Sequence, residues 1–250
     1  MKIKFLGTSA GWPLPRLGCQ CLICSSRSSK DTRSRSQLLI NDSLLLDVGI
    51  DTYTHLNNPG VDPTKIKSAA ITHEHPDHTL GFQDLGHIYL SKEKGKAGPR
   101  NKIGVIIHPT TFKKIKGLLF FNEYKILKTE SFTPVETNGL AVSLLPVTHT
   151  DSSFGILVSE DSKKIFYAPD MKGLPKETLD KVKGVDLVVF DGSRLDVSSK
   201  SHQSILEGLT LGNKLKAKQI YFTHIGHKTL PHNELEKLVR EKGGPHFHIS

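Results

Sequence analysis

The sequence has few cysteines and no long hydrophobic segment. Its 250 residues contain three cysteines, all grouped at Cys19, Cys21 and Cys24. An odd number in one cluster excludes a disulfide framework and indicates metal or reactive-thiol chemistry. The longest apolar runs, such as Leu118–Phe121 and Leu187–Phe190, are far shorter than the roughly 20 residues of a membrane span. Because the N-terminus also lacks an apolar signal region, we expect a cytoplasmic protein without a membrane partner.

The composition is that of a globular protein with a basic surface. Hydrophobic residues make up 36% of the chain and charged residues 24%, and no repeat or low-complexity linker divides it. We therefore expect one domain over residues 1–250. The net charge of +9 favours anionic partners. The basic stretch Lys92–Lys102 is consistent either with a solvated loop or with a rim that binds a phosphate substrate or nucleic acid.

Short apolar segments and helical patterns share the chain, which predicts an α/β protein. In the second half, strands and helices mostly alternate, and we expect two mixed β-sheets packed face to face with helices on the outer faces. The predicted strands are Ile3–Leu6, Leu38–Ile40, Leu44–Asp47, Ala69–Thr72, Ile103–Ile107, Leu140–Val147, Gly155–Ser159, Lys164–Ala168, Asp186–Asp191 and Gln219–Thr223. The predicted helices are Thr110–Phe120, Lys176–Val182, Ser201–Leu215 and His232–Lys242.

Four potential metal ligands crowd the segment after the predicted strand Ala69–Thr72. They are His73, His75, Asp77 and His78. Alternate residues of an extended segment point the same way, so the first two histidines can reach one metal ion together. A proline then turns the chain, so that the aspartate and the last histidine can face a second ion. Imidazole and carboxylate groups suit Zn²⁺, Mn²⁺ or Fe²⁺.

The motif His-x-His-x-Asp-His after a short apolar strand resembles the signature of the metallo-β-lactamase-fold hydrolases. The resemblance implies an αββα sandwich with a dinuclear site and further ligands at later strand ends. It assigns His73, His75 and His149 to one metal and Asp77, His78 and His224 to the other, with Asp170 as the bridge and Asp47 as a support for the histidine loop.

The implied ligands also make physical sense. His149, Asp170 and His224 each follow a predicted strand, and loops at strand ends converge on one site. A carboxylate between two divalent cations lowers their mutual repulsion. Two ions about 3.5–4 Å apart can hold a hydroxide and clamp both the attacking and the leaving oxygen of a displacement.

The cysteine cluster predicts a separate structural zinc site. Three thiolates in one short loop need a fourth ligand from elsewhere, since structural zinc has four closed ligands. His227 is the best candidate, because Gly226 allows a sharp turn between it and His224. The alternative is three incidental reduced thiols.

Three local patterns together resemble one subgroup of this family. These are Gly-Thr-Ser-Ala-Gly at residues 7–11, the Cys-x-Cys-x-x-Cys cluster, and Thr-His-x-x-His near the end of the chain. They are similar to the phosphodiesterases of bacterial phosphonate breakdown (PhnP type), which are related to PqqB and to tRNase Z. The resemblance implies catalytic roles for His202 and Asp77.

The function expected from this resemblance is hydrolysis of a small or cyclic phosphodiester, such as a phosphoribosyl cyclic phosphate, by a metal-bound hydroxide. His202 would stabilise the transition-state charge or protonate the leaving alkoxide. The alternatives are tRNA 3′ processing, hydrolysis of a thioester or lactam, and a PqqB-like role in cofactor biosynthesis. The expected partner is a small anionic phosphodiester. RNA is a less favoured partner, and a homodimer remains open.

Overall fold

The computed structural model describes residues 1–91, 97–99, 102–119, 124–197 and 199–250. Most of the basic stretch Lys92–Lys102 lies outside the described residues. Of its basic side chains only Lys102 is described, and it is exposed. The role of this stretch therefore stays a prediction.

The strands are short and almost all of them belong to two sheets. In chain order they are β1 (Ile3–Gly7), β2 (Gln37–Ile40), β3 (Leu44–Leu46), β4 (Ser68–Ala70), β5 (Tyr89–Ser91), β6 (Ala97–Pro99), β7 (Ile103–Ile107), β8 (Tyr124–Lys128), β9 (Val135–Thr137), β10 (Leu140–Pro146), β11 (Phe154–Glu160), β12 (Lys163–Ala168), β13 (Leu187–Asp191), β14 (Gln219–Thr223) and β15 (Phe247–Ile249).

The helices are also mostly short, and the two longest lie in the second half of the chain. The α-helices are α1 (Thr52–Leu56), α2 (Pro76–Thr79), α3 (Phe82–Gly86), α4 (Pro109–Ile115), α5 (Lys176–Lys181), α6 (Ile205–Leu215) and α7 (His232–Gly243). Single 3₁₀ turns occupy Ser29–Asp31, Pro63–Lys65 and Lys116–Leu118. Within the described ranges, no helix has the length and apolar character needed to cross a membrane.

Both large sheets are mixed. The first has the strand order β1-β2-β3-β4-β7-β8, and its strands from β3 to β8 run parallel. The second has the order β15-β14-β13-β12-β11-β10-β9, and its strands from β12 to β15 run parallel. The strands β5 and β6 form a separate hairpin.

Because buried side chains alternate along the strands, the core consists of three apolar layers: one between the two sheets and one on the outer face of each sheet. In β2, Leu38 and Ile40 pack between the two sheets, whereas Leu39 packs on the outer face of the first sheet. In β13, Val189 faces the inter-sheet layer and Val188 faces the outer layer under α6 and α7. Because successive side chains of a strand point to opposite faces, buried residues on both faces require four layers. The predicted αββα sandwich is confirmed.

The predicted boundary that matters most for function is wrong by a few residues. Helix α6 begins at Ile205 rather than at Ser201, because Ser204 and Glu207 form a capping box that fixes its N-terminus. His202 therefore lies in the loop before the helix and not on it. The short helices α1–α3 and the strands β5, β6, β8, β9 and β15 were not among the predicted elements.

Candidate metal centre and active site

The predicted metal ligands meet at one edge of the sandwich. His73 follows β4, His149 follows β10, Asp170 follows β12 and His224 follows β14. The strands β10, β12 and β14 run in the same direction in one sheet, so their carboxyl ends share an edge. His224 has a φ of 57°, a left-handed conformation that costs energy for a residue other than glycine and is most often kept at functional sites.

One set of donor atoms comes from three histidines and an aspartate. His73 Nε2 lies 2.9 Å from His75 Nδ1 and 3.4 Å from Asp170 Oδ2. His149 Nε2 lies 3.3 Å from His75 Nδ1 and 3.7 Å from Asp170 Oδ2. Nitrogen and oxygen atoms from four separate residues therefore converge on one point.

A second set shares the same aspartate. His78 Nε2 lies 3.2 Å from Asp77 Oδ2 and 3.5 Å from Asp170 Oδ2. His224 Nε2 lies 3.4 Å from Asp77 Oδ2 and 2.9 Å from Asp170 Oδ1. Asp170 Oδ2 thus faces His73 on one side and His78 on the other, as a bridging carboxylate would.

These spacings fit two bound metal ions. Two ligand atoms each about 2.1 Å from one ion at a tetrahedral angle lie about 3.4 Å apart, close to the separations in both sets. The buried atoms His78 Nε2 and Asp170 Oδ1 make no hydrogen bond despite their close neighbours. Buried polar atoms without hydrogen bonds are rare unless an ion or a water fills the gap.

Contacts from behind hold two of the histidines in the orientation that a ligand needs. Asp47 Oδ2 accepts a hydrogen bond from His78 Nδ1 at 2.8 Å, while Asp47 Oδ1 accepts from the backbone N–H of Thr72. His149 Nδ1 donates to the carbonyl of Ser201 at 2.8 Å. A proton on Nδ1 leaves the lone pair of Nε2 free for a metal.

The electrostatics of the site favour ionised carboxylates. Burial lowers the pKa of His73 to about 4. Burial would raise the pKa of Asp170, but the charges of His224 and His78 hold it well below its usual range. Burial also opposes charge on His224, yet the Asp170 carboxylate raises its pKa to about 10. A metal ion must displace this proton, so metal loading should improve as the pH rises.

The predicted catalytic histidine lies beside this centre and is held by an aspartate that the sequence did not single out. His202 Nδ1 donates to Asp191 Oδ2 at 2.7 Å. Its ring centre is 4.8 Å from that of His149 and 5.9 Å from that of His224. Burial lowers the pKa of His202, but the Asp191 hydrogen bond and charge raise it above the usual value.

Asp191 is itself fixed by the backbone. It ends β13 and is fully buried, and its two oxygens accept from the N–H groups of Met171 at 3.1 Å and Ser193 at 2.9 Å. The sequence did contain a signal for Asp191: it ends an apolar strand that lies, along the chain, between the strands that precede Asp170 and His224.

The three cysteines and His227 converge on a second location. Their ligand atoms all lie within 4.8 Å of one another, and Cys19 Sγ is 3.4 Å from His227 Nδ1. The backbone N–H of Arg16 donates to Cys24 Sγ at 3.3 Å. Three sulfurs and one imidazole within this distance fit a tetrahedral zinc ion.

The thiols of this cluster differ in acidity. The backbone N–H of Cys21, followed by the His227 side chain, lowers the pKa of Cys19 to about 6. Burial raises the pKa of Cys24 to about 11. A zinc ion would override this difference, because it binds cysteine as thiolate.

Gly226 joins the two centres. It lies between His224 and His227, and a Cβ at this position would overlap the carbonyl oxygen of Ser193. Only glycine therefore allows this segment to pass against the loop that follows Asp191.

A cavity of about 350 Å³ opens onto the donor atoms. Asp77, His202 and His224 form the part of its lining that we call the floor, and Trp12, Arg16, Arg194 and Lys228 form the part that we call the mouth. Gly11 allows the first loop to come close, since a Cβ there would lie 3.1 Å from Asp77 Oδ2. The sequence did not indicate these tryptophan and basic side chains, because they come from three distant segments.

Comparison with known proteins gives one superfamily and relatives of different activities. A family model described as a beta-lactamase superfamily domain matches residues 43–225. The chain is 25% identical over 261 residues to an octanoyltransferase of Porphyromonas gingivalis, a match that covers 99% of this chain and 50% of the relative. The chain thus spans half the length of that relative.

Two solved structures have a similar fold. A diphosphatase from the PhnP family superposes with a TM-score of 0.83 at 22% identity, covering 99% of this chain and 94% of the other. Zinc-bound PqqB from Methylobacterium extorquens superposes with a TM-score of 0.79 at 18% identity, covering 100% of this chain and 97% of the other.

Proposed function

The chain belongs to the β-lactamase superfamily. On that premise we propose that it is a metal-dependent hydrolase and that it cleaves a small or cyclic phosphodiester. The observation that carries this proposal is the hydrogen-bonded pair of His202 and Asp191 beside two convergent sets of metal-ligand atoms. A metal centre can activate water, and a held imidazole next to it can supply the proton that an alkoxide leaving group needs.

We assign the two donor sets as the ligands of two divalent ions, Zn²⁺ or Mn²⁺ with Fe²⁺ as a third option. When bound, such ions lower the pKa of water and neutralise the non-bridging oxygens of a phosphoryl group. The ligands would be His73, His75 and His149 for one ion and Asp77, His78 and His224 for the other, with Asp170 bridging.

Asp77 would act on water as well as on metal. Its side chain is 15% exposed and lines the cavity, whereas that of Asp170 is more deeply buried. A carboxylate oxygen open to the cavity can accept a hydrogen bond from a water molecule and so orient it toward phosphorus.

His202 would serve the leaving group. Because Nδ1 is engaged by Asp191, Nε2 is the atom left for substrate. The oxygen of water would form a new bond to phosphorus and release a proton to solvent through the cavity, while the ester P–O bond breaks and the departing oxygen takes up the proton held at Nε2. The Asp191 carboxylate stabilises the imidazolium before transfer and fixes the orientation of the ring.

We propose a structural role for the zinc site at Cys19, Cys21, Cys24 and His227. Two hydrogen bonds connect the first loop to this cluster. Ser9 Oγ donates to the carbonyl of Trp12, and the backbone N–H of Arg16 donates to Cys24 Sγ. A closed thiolate site would therefore hold the wall of the cavity in place.

The test of the proposed function is hydrolysis of bis(p-nitrophenyl) phosphate by the metal-loaded protein. Asp170→Ala should lose one of the two active-site ions and reduce kcat by more than about 100-fold, because no group then separates the charges. His246→Gln is the matched control, since this histidine lies outside the site. Full turnover and full metal content in Asp170→Ala would contradict the ligand assignment.

Thioester hydrolysis is a second candidate. It is supported by the similarity to an octanoyltransferase and by exposed apolar side chains on the cysteine loop, with Leu17 98% and Leu22 69% exposed. Cleavage of octanoyl-coenzyme A with a higher kcat/KM than any phosphodiester would favour this candidate over the first.

A further inference from the structure

The mouth of the cavity carries three cations that no carboxylate neutralises. Arg16, Arg194 and Lys228 line it, and within the described part of the chain none of them has an acidic side chain within ion-pair distance. Arg16 Nη1 lies 3.2 Å from His227 Nε2, which is a neutral partner. Within the described residues, the side chains of Arg194 and Lys228 make no hydrogen bond. Their positive charge is therefore available to a ligand.

This differs from other basic side chains of the surface. Lys172 pairs with Glu207 at 3.0 Å, Arg35 with Asp51 at 3.0 Å and Lys218 with Asp186 at 2.8 Å. Pairing of this kind cancels charge locally. The cations at the mouth have no such acidic partner among the described residues, and they line the same cavity as the proposed metal centre.

The backbone brings two of these cations together. Arg194 and Lys228 are joined by a parallel β-bridge, and the N–H of Leu195 donates to the carbonyl of Lys228 at 3.2 Å. The two side chains thus start from adjacent backbone positions that a bridge between two loops holds together. A fixed pair of cations suits a phosphate group better than two independent lysines on flexible loops.

An exposed aromatic ring completes the mouth. Trp12 is 64% exposed, although a tryptophan is normally well buried. The guanidinium of Arg16 lies 5.0 Å from its ring centre, and Ser9 Oγ donates to its carbonyl at 2.6 Å. The hydrogen bond fixes the backbone of Trp12 and the Arg16 guanidinium contacts one face of its ring, while most of the indole surface is exposed. Such a platform stacks planar heteroaromatic rings.

We propose that this mouth selects substrates that carry a heteroaromatic ring and a second phosphate group, that is, diphosphate derivatives of nucleosides. The inference rests on the proposed function and names the substrate class of the same site. The terminal phosphate would lie on the floor, where its ester P–O bond to the outer alkyl group breaks and that oxygen takes the proton from His202, while the second phosphate lies on Arg194 and Lys228 and the base on Trp12. A cavity of about 350 Å³ suits one nucleotide-sized ligand.

The first test uses fluorescence, because Trp12 is the sole tryptophan of the chain. Adenosine diphosphate added to the metal-loaded protein should quench its emission saturably, and ribose 5-phosphate should not. Arg194→Gln and Lys228→Gln should each weaken adenosine diphosphate binding about 5–10-fold, as expected for loss of a charge-assisted contact. Absence of quenching, or equal quenching by both ligands, would overturn the inference.

The second test compares substrates. For ADP-ribose, each variant should raise KM at least about five-fold more than for bis(p-nitrophenyl) phosphate, which carries a single negative charge. Lys237→Gln, an exposed lysine of α7, is the control. Equal KM changes on both substrates would refute the selection of a second phosphate. Failure of the wild-type protein to cleave any phosphodiester would refute the proposed function instead, while quenching by adenosine diphosphate would still test the mouth.

Discussion

Replacing Asp191 with asparagine tests how His202 works without removing the histidine. The two oxygens of Asp191 accept three hydrogen bonds, from His202 Nδ1, Met171 N–H and Ser193 N–H. An asparagine can turn its oxygen toward the first two donors, but its amide then points at the third. The change keeps the size of the side chain and removes its charge.

The expected cost has two parts. One buried donor is left without a partner, which lowers the free energy of unfolding by about 1–3 kcal/mol. For a chain of this length each kcal/mol lowers Tm by about 2–4 °C. The imidazolium of His202 also loses its counter-charge, so kcat should fall about 10²–10⁴-fold, the usual value of a positioned acid or base.

The assay compares leaving groups. A p-nitrophenolate leaves well without a proton, whereas the alkoxide of a ribose does not. The kcat penalty of Asp191→Asn should therefore be small on bis(p-nitrophenyl) phosphate and large on a cyclic ribose phosphodiester, with unchanged metal content. His202→Ala should give the same ratio of penalties. Asp186→Asn, just before the other end of β13, is the control.

Two results would refute this reasoning. Equal penalties on both substrates would mean that His202 stabilises phosphoryl oxygens and donates no proton to the leaving group. No penalty on either substrate would mean that the pair of Asp191 and His202 has a structural role only.

Two further predictions concern the thiolate cluster. Cys21→Ser should remove the structural zinc and lower Tm while the dinuclear ions remain. Metal analysis and thermal unfolding measure both effects. If wild-type protein purified under reducing conditions contains no thiolate-bound zinc, the prediction is wrong. After removal of zinc by a chelator, alkylation of Cys19 should be half-maximal near pH 6, because its lowered pKa leaves it as thiolate above that pH. Cys24, whose pKa burial raises to about 11, should stay unmodified at neutral pH, and mass spectrometry showing equal labelling of both would contradict this order.

Much of the fold and of the donor set follows from local sequence. The metal ligands could be predicted because each is a histidine or an aspartate directly after an apolar strand. This holds for the dense segment from His73 to His78 and for His149, Asp170 and His224. The αββα layering could be predicted because short apolar runs indicate the strands. The spacing of the cysteines likewise indicates which atoms can share an ion.

Other features depend on contacts between distant segments. Asp191 looks like any aspartate at a strand end until β13 is known to lie between β12 and β14. Arg194 and Lys228 become neighbours only through a bridge between separate loops. The start of α6 could have been predicted, because Ser204 and Glu207 have the spacing of a capping box. The apolar pattern alone placed the start of this helix too early.

The segment from His224 to His227 makes the two proposed metal centres a single mechanical unit. One end of it reaches the dinuclear donor set and the other reaches the cysteine loop, and Gly226 presses it against the backbone of Ser193. Only three peptide bonds link His224 to His227, so a shift of the backbone at the thiolate cluster would be felt at a ligand of the dinuclear set. The proposed zinc cluster would therefore act as the anchor that sets the position of His224.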